Sequence, residues 1–212
     1  MTIHEADGLK WWMVGDDQDP LVTDRHETEL LPHLDDGQHH DGAFVDVGAH
    51  RGKYSVRLAP HWDKVYAIEP DPDQRAILMH NLDLNDCHNV TVIPFAAWGY
   101  EAQLALVKRP GTNAVEPMNE GGIHGYPLDR FLENVMVGLV KIDTEGAEVQ
   151  VLRGMGQTIA NWRPKLVIEM HHKMLDMPSI AADVSALLTI HGYEWDMVYE
   201  NANVEYWVTK GD

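Results

Sequence analysis

Phe44-Val-Asp-Val-Gly-Ala-His-Arg-Gly-Lys-Tyr-Ser55 is the stretch that decides the fold. It begins as an apolar, strand-like run to Val47, breaks at Gly48, and passes through a short loop containing Gly52 into a predicted helix. Glycine at such a turn lets the backbone approach a ligand closely, and the N-terminus of the helix offers free N–H groups and a positive dipole end. The stretch therefore predicts a strand, a ligand-binding turn and a helix.

An acidic residue follows the second predicted strand. The apolar run Val65 to Ile68 ends in Glu69, about twenty residues after Gly48, the spacing at which a carboxylate accepts hydrogen bonds from the two hydroxyls of a ribose. Three residues separate Gly48 from Gly52, so the turn lacks the G-x-G-x-x-G pattern of nicotinamide enzymes. An ordinary strand, turn and helix without a ligand is the alternative. The spacing favours an adenosine-containing cofactor.

Composition places the chain among globular proteins. Its 212 residues fit one domain, and the absence of any apolar run near ~18 residues predicts no association with a membrane through a spanning helix. The formal net charge of −18 opposes phosphate backbones, so broad nucleic-acid binding is not expected; solubility and adaptation to high salt are two explanations of this charge. A single cysteine, Cys87, and an N-terminus without a secretory pattern predict a cytoplasmic protein.

Strands and helices alternate along the middle of the chain. The order strand–helix–strand–helix–strand through residues 44–95 predicts an α/β fold with a doubly wound, parallel sheet and right-handed crossovers. Residues 1–41 are predicted to form an N-terminal extension that packs on the core. Residues 42–212 are predicted to form the main domain, so that the whole chain is one domain.

The stretch from Gly99 to Tyr126 has little periodicity. Only Gln103–Lys108 alternates and is predicted as an extra strand. The glycine-rich Asn119–Gly125 is predicted to be a mobile flap over a substrate, because it follows the carboxyl end of the third strand, and plain disorder is the alternative. Elsewhere the patterns predict a helix at Glu27–Leu34, a third strand at Val90–Phe95 and a turn at Arg109–Asn113. Two closing antiparallel strands are predicted at Tyr193–Tyr199 and Val204–Thr209.

Two motifs together resemble the FkbM family of S-adenosylmethionine-dependent methyltransferases. The first is Asp46-Val-Gly-Ala-His-Arg-Gly-Lys-Tyr-Ser55, and the second, more specific one is Lys141-Ile-Asp-Thr-Glu-Gly-Ala-Glu148. The resemblance covers about residues 42–171, although His50 stands where that family commonly has Asn. It implies a Rossmann-like, seven-stranded methyltransferase sheet with a reversed last strand. It also implies S-adenosyl-L-methionine as cofactor and O-methylation of a hydroxyl on a sugar, secondary metabolite or similar small acceptor.

The resemblance also assigns residues to the cofactor. The turn after the first strand is assigned to the methionine end, Glu69 to the ribose, and the small residues after the third strand to the edge of the adenine. The complete set of predicted cofactor-binding residues is Asp46, Gly48, Ala49, His50, Gly52, Ser55, Glu69, Pro70, Ala96, Ala97 and Asp143.

Three residues are predicted to be catalytic. Asp143 and Glu145 follow the fourth strand and His171 the fifth, and neighbouring strands lie about 4.8 Å apart, so their side chains are expected to converge on the acceptor hydroxyl. His171 is the candidate base, with a carboxylate orienting its ring. Two alternatives stay open: the trio holds a divalent cation, which is compatible with these ligands but not predicted, or His171 is a surface loop residue.

Three other polar residues receive a structural interpretation. Glu148 is interpreted as a first-turn carboxylate that stabilises the following helix dipole, and Lys141 and Glu169, on neighbouring strands, as an ion pair. Two other functions compete with the methyltransferase: a non-catalytic sensor or interaction module that binds S-adenosylmethionine or a nucleotide, and a nicotinamide oxidoreductase, which the missing glycine pattern disfavours. The sequence does not determine the acceptor or the oligomeric state.

Overall fold

Three β-sheets and six α-helices form in the part of the chain that the computed structural model describes, which is residues 2–13, 29–109, 112–118, 122–173, 175 and 177–210. The strands are β1 (Thr2–Ala6), β2 (Leu9–Met13), β3 (His40–Val47), β4 (Trp62–Ile68), β5 (Val90–Ile93), β6 (Ala96–Ala97), β7 (Ala102–Arg109), β8 (Thr112–Pro117), β9 (Ile123–Tyr126), β10 (Val137–Ile142), β11 (Lys165–Met170), β12 (Trp195–Glu200) and β13 (Glu205–Thr209). The helices are α1 (Leu31–Leu34), α2 (Lys53–Leu58), α3 (Pro72–Leu84), α4 (Glu148–Arg153), α5 (Gly156–Trp162) and α6 (Pro178–Ile190), with short 3₁₀ turns at Ala59–His61 and Leu128–Arg130. Among these described helices, none has the length and apolar character needed to span a bilayer.

A seven-stranded sheet forms the centre of the fold, in the order β12-β13-β11-β10-β3-β4-β5. The neighbours from β11 to β5 are parallel, whereas β13 runs antiparallel to both β11 and β12. The predicted doubly wound α/β sheet, with its reversed last strand and closing antiparallel pair, is therefore confirmed.

Strand β3 lies in the middle of this sheet because both of its faces are covered. Phe44 packs in one cluster with Trp62, while Val45 packs on the opposite face in a cluster with Ile142. A parallel strand that is buried on both faces reads as a continuous apolar run, which is why this stretch is so prominent in the sequence. Asp46 is the one polar interruption and is fully buried.

Residues 96–126 contribute a second, four-stranded sheet in the order β6-β9-β7-β8. The strand predicted at Gln103–Lys108 is confirmed. The chain reverses at the predicted turn, because Arg109 of β7 pairs with Thr112 of the antiparallel β8. The predicted loop Asn119–Gly125 was wrong in part, because β9 begins at Ile123. Residues 110–111 and 119–121 lie outside the described residues. Gly122 is required in this sheet, since its φ is +84° and an added Cβ would lie 2.1 Å from the carbonyl oxygen of Leu104. A role for this segment as a flap stays a prediction.

Two other boundaries differ from the sequence pattern. Of the helix predicted at Glu27–Leu34, the structure shows only α1, and residues 27–28 lie outside the described residues. The third strand ends at Ile93 rather than Phe95, because Pro94 lacks the backbone N–H that a strand ladder needs.

Strands β1 and β2 form a hairpin that packs against α3. Trp11 is fully buried there. The Asn81 side chain on α3 accepts a hydrogen bond from the backbone N–H of Trp12 at 2.7 Å and donates one to the carbonyl oxygen of Arg51 at 2.8 Å. One side chain therefore ties the hairpin to the turn after β3. The division of the chain at residue 41 stays a prediction.

Candidate active site

The turn after β3 is shaped by close contacts at two glycines, with backbone at the first and with a buried side chain at the second. Gly48 has a φ of +80°, and a Cβ added to it would lie 1.8 Å from the carbonyl oxygen of Asp143. Gly52, with a φ of +89°, precedes α2, and its added Cβ would lie 2.5 Å from Leu78. The backbone N–H groups of Gly48 and Ala49 both donate to the carbonyl oxygen of Ile68 at 3.0 Å. The turn is therefore fixed between the ends of β4 and β10.

Glu69 at the end of β4 braces this turn. Its Oε2 accepts the backbone N–H of His50 at 2.7 Å, and its Oε1 accepts that of Asp71 at 2.8 Å. Burial raises the pKa of the Glu69 carboxyl to about 7, and the two N–H bonds offset this shift only in part. The carboxyl group is therefore poised to change its charge near neutral pH.

A pocket of about 350 Å³ runs along the carboxyl edge of the central sheet. Glu69 lines it after β4, Asp143 after β10 and His171 after β11, and the loop between β12 and β13 contributes Asn201 and Asn203. Because β4 and β11 are three strand spacings apart, the pocket spans roughly 14 Å of this edge. Pockets at this edge are where doubly wound sheets bind their ligands.

Lys141 supplies a buried positive charge under the pocket. Its Nζ donates to Oδ2 of Asp143 at 2.9 Å, lies 3.9 Å from Oδ1 of Asp46, and sits 4.8 Å from the centre of the Tyr54 ring. Only 2% of Lys141 is exposed. The pairing of Lys141 with Glu169 that the sequence suggested stays a prediction, and Lys141 also forms an ion pair with Asp143 at hydrogen-bond distance. This bond fixes the direction of the Asp143 carboxylate.

His171 lies among three carboxylates. Its Nδ1 is 2.9 Å from Oε1 of Glu148, and its Nε2 is 3.6 Å from both Oδ1 of Asp143 and Oε1 of Glu169. Burial by itself lowers the pKa of the imidazole, but the bond to Glu148 and the negative charges of Asp143, Glu148 and Glu169 outweigh this effect and raise the pKa of His171 to about 9. The ring, Asp143 and Glu169 line the pocket, while Glu148 is fully buried and is not part of the pocket lining.

The second motif, which holds Asp143 and Glu148, lies within a match to a known domain. The model of the methyltransferase FkbM domain matches residues 46–195. The chain belongs to the FkbM methyltransferase family. Membership confirms the predicted family and, with it, S-adenosylmethionine as the cofactor of that family. A search of curated proteins found no match.

Solved structures share the fold of this methyltransferase. The FkbM methyltransferase of Methylobacillus flagellatus KT is 20% identical with a TM-score of 0.62, covering 86% of this chain but 47% of its own, so this chain spans about half of that protein. Precorrin-6y C5,15-methyltransferase of Geobacter metallireducens GS-15 is 16% identical with a TM-score of 0.55, covering 92% and 91%. TYW2 of M. jannaschii, solved in complex with AdoMet, is 17% identical with a TM-score of 0.52, covering 98% and 83%. At these identities the likeness shows the fold.

The residues of the pocket fit S-adenosylmethionine. Each carboxylate oxygen of Glu69 already accepts one N–H and retains a further acceptor site for a ribose hydroxyl. Gly48 lets Asp143 approach the turn closely, and Ala49 and His50 line the pocket beside it. The small side chains of β6, Ala96 and Ala97, line the pocket and leave space for a flat ring.

The predicted cofactor residues divide into two groups. Those that line the pocket are Gly48, Ala49, His50, Glu69, Pro70, Ala96, Ala97 and Asp143. Those behind it are Asp46, Gly52 and Ser55. The Ser55 hydroxyl donates to Oδ2 of Asp46 at 2.6 Å, and both side chains are fully buried, which favours a role in ordering the turn over direct contact with the cofactor.

The structure brings together two of the three predicted catalytic residues and adds two more. Asp143 and His171 meet, whereas Glu145, although it lines the same pocket, is not one of the carboxylates around the ring. The two added residues are Glu148 and Glu169, whose carboxylates also lie beside the ring of His171. Glu148 does start helix α4, as interpreted, and accepts the N–H of Gly146 at 3.0 Å, but it also bonds His171. The sequence signal that links Asp143 to His171 is that each directly follows one of two neighbouring strands, β10 and β11.

Proposed function

We propose that this methyltransferase transfers the methyl group of S-adenosylmethionine to a hydroxyl of a small acceptor, such as a sugar or another metabolite. One observation supports the proposal most strongly: the same pocket joins the glycine turn and Glu69 to the polar cluster around His171. Donor and acceptor would thus share one space. Methyl transfer is an in-line displacement, so positioning the two reactants is the main task of the protein.

The cofactor end of the pocket offers a partner for each part of the donor. The ribose hydroxyls bind to Glu69, the methionine end lies on the backbone of Ala49 and His50, and the adenine edge faces Ala96 and Ala97. When bound, S-adenosylmethionine supplies a methyl group that is activated by its cationic sulfur. The protein therefore needs no group to activate the donor.

The acceptor end of the pocket has to take up the proton that the acceptor hydroxyl releases. An alcohol loses its proton as the new bond forms, and a nearby acceptor group makes this easier. With a pKa of about 9, the ring of His171 by itself already carries two protons at neutral pH, so it is not ready to accept a third. The carboxylates of Asp143 and Glu145, which line the same wall, are the groups that take the proton. The ring then orients the acceptor oxygen.

The test follows a labelled methyl group. Calorimetry should first show one S-adenosylmethionine site per chain. S-adenosylmethionine with a deuterated methyl group is then incubated with a panel of sugars, polyols and phenols, and mass spectrometry should detect the methyl ether together with an equal amount of S-adenosylhomocysteine. Transfer to nitrogen or carbon alone would overturn the proposed acceptor group. Tight cofactor binding with no transfer to any acceptor would support a non-catalytic sensor instead.

A further inference from the structure

Three side chains at the ends of β10 and β11 have the geometry of metal ligands. Oδ1 of Asp143 and Oε1 of Glu169 each lie 3.6 Å from Nε2 of His171, and the three residues offer one ligand atom each within 4.8 Å of one another. All three residues line the pocket. Ligands of a tetrahedral cation such as Zn²⁺ are about 3.4 Å apart, since each lies about 2.1 Å from the metal. Small shifts would therefore let one ion bind to all three atoms.

The ring of His171 is held in the orientation that a metal ligand requires. Nδ1 lies 2.9 Å from the carboxylate of Glu148, which is fully buried, and an ionised carboxylate only accepts hydrogen bonds, so Nδ1 carries the hydrogen. A neutral ring then presents the lone pair of Nε2 to the pocket. His171 is only 5% exposed, and no residue in the described part of the chain makes a hydrogen bond to Nε2. A carboxylate on the far nitrogen is the usual support of a metal-binding histidine.

Buried oxygens around the trio provide an independent observation. Oε2 of Glu148 and Oδ1 of Asp46 are buried and make no hydrogen bond to any described residue. Oxygens of this kind are rare in folded proteins, and they commonly mark the place of an ion or an ordered water molecule. Glu148 borders the cluster through its contact with His171, and Asp46 borders it through its ion pair with Lys141. Two buried carboxylate oxygens near the trio therefore lack a hydrogen-bond partner among the described residues.

We propose that Asp143, Glu169 and His171 bind a divalent cation whose open positions receive the acceptor hydroxyl. The inference rests on the proposed function in one respect, namely that the acceptor group is a hydroxyl. Two carboxylate oxygens and one imidazole nitrogen suit Mn²⁺ or Zn²⁺. The cation takes the place of the second proton on the ring of His171, and Lys141 keeps its bond to the other oxygen of Asp143.

The cation acts as a Lewis acid on the acceptor. Coordination weakens the O–H bond, and the proton moves to the carboxylate of Glu145, which lines the same pocket. A lone pair of the oxygen forms the bond to the methyl carbon while the electron pair of the carbon–sulfur bond stays on sulfur. The products are the methyl ether, the neutral thioether S-adenosylhomocysteine and a protonated Glu145.

Binding of Mn²⁺ alone tests the site without any knowledge of the acceptor. Electron paramagnetic resonance of the full chain titrated with Mn²⁺ should show one tightly bound ion. Asp143→Asn, Glu169→Gln and His171→Ala should each remove this binding, and Glu148→Gln, which loosens the ring, should weaken it by about 10–100-fold. The control is His39→Ala, which changes a second, exposed group formed by His39, Asp41 and Asp63. This variant should not alter the binding of the Mn²⁺ ion.

Two outcomes would overturn the inference: no bound Mn²⁺ at millimolar concentration, or binding that survives the three ligand variants and is lost in His39→Ala. If the ligand variants do not fold, as judged by thermal unfolding, the wild-type chain with ¹⁵N-labelled histidine decides instead. One bound Mn²⁺ should then show hyperfine coupling to a single imidazole nitrogen, and a spectrum without such coupling would contradict the site.

The inference and the proposed function can fail separately. If methyl transfer to a hydroxyl continues unchanged in the presence of a chelator, the cation site is contradicted and the proposed function stands. One bound Mn²⁺ on His171, together with transfer only to nitrogen, would keep the cation and remove the hydroxyl. Calorimetry of S-adenosylmethionine on the wild-type chain accompanies both experiments, and it reports separately whether the cofactor end of the pocket binds its ligand.

Discussion

At the scale of single residues, Glu69 makes cofactor binding depend on pH. Its pKa in the folded chain is about 7, and below that value one of its oxygens carries a proton and no longer accepts a hydrogen bond. We therefore expect the affinity for S-adenosylmethionine to rise as the pH increases through 7. Calorimetry on either side of this pH measures the effect. The isosteric Glu69→Gln should bind more weakly at high pH and lose the dependence; an unchanged dependence would assign it to another group.

The same carboxyl group affects folding in the opposite direction. Its pKa is raised from 4.5 in a free side chain to about 7 in the folded chain, so the folded state binds this proton more tightly than the unfolded state. The contribution of Glu69 to the free energy of unfolding is therefore largest below 4.5 and is lost as the pH rises toward 7. Urea unfolding of the ligand-free chain should show this decrease, and it should be smaller in Glu69→Gln.

Replacing Lys141 measures how much its buried ion pairs contribute to the free energy of unfolding. Lys141→Met leaves the carboxylate of Asp143 without its bond at 2.9 Å and Asp46 without a nearby cation. Breaking a buried ion pair on one side costs roughly 3–5 kcal/mol, so the free energy of unfolding should fall by about that amount. The matched control is Lys64→Met on the exposed side of β4, which should change it by less than about 0.5 kcal/mol. Equal effects in both variants would contradict the structural importance of the buried pair.

Residues whose role depends on the backbone were the easiest to predict. Gly48 and Glu69 stand at fixed distances along a strand, turn and strand, and this spacing is present in the sequence. Glu148 was interpreted only through its place in the first turn of a helix, because the direction of its side chain depends on how α4 meets β11. The meeting of Glu148 with His171 is a tertiary contact, and no local pattern encodes it.

At the scale of the elements, the turn between β3 and α2 should not tolerate a side chain at its first glycine. Gly48→Ala places a Cβ where the carbonyl oxygen of Asp143 lies 1.8 Å away, so the ends of β3 and β10 must separate. We expect loss of measurable S-adenosylmethionine binding together with a lower free energy of unfolding. Gly156→Ala at the start of α5 is the control, because its Cβ would meet nothing within 4 Å. It should be neutral or stabilise by up to about 1 kcal/mol. Cofactor binding retained in Gly48→Ala would show that the turn can move.

The elements that sequence predicted well are those covered on both faces. β3, β4 and β10 read as apolar runs because helices lie on both sides of the central sheet. The second sheet was missed in large part, since β6 has two residues and β8 and β9 are short and partly exposed, so their alternation is weak. Gly122 and Gly125 looked like loop residues, yet both pack against Leu104.

At the scale of the whole molecule, the sheet order explains how distant motifs make one site. β10 lies beside β3 although more than eighty residues separate them, so the first and second motifs meet at the same edge. The parallel direction of β4, β3, β10 and β11 puts all four carboxyl ends on one side. Sequence reasoning reached this arrangement only through the rule for doubly wound sheets and the family resemblance.

The net charge predicts how the folded molecule responds to salt. The chain has 34 acidic and 16 basic residues, a formal charge of −18, and folding brings these like charges closer together than they are in the unfolded chain. The screening length falls from about 10 Å at 0.1 M salt to about 3 Å at 1 M, so potassium chloride should reduce this repulsion and move the urea midpoint of unfolding upward. Chloride is chosen because sulfate would also strengthen apolar burial. A midpoint that falls with potassium chloride would mean that salt weakens ion pairs such as Arg57–Asp7 more than it relieves repulsion, and the acidic surface would then be no adaptation to salt.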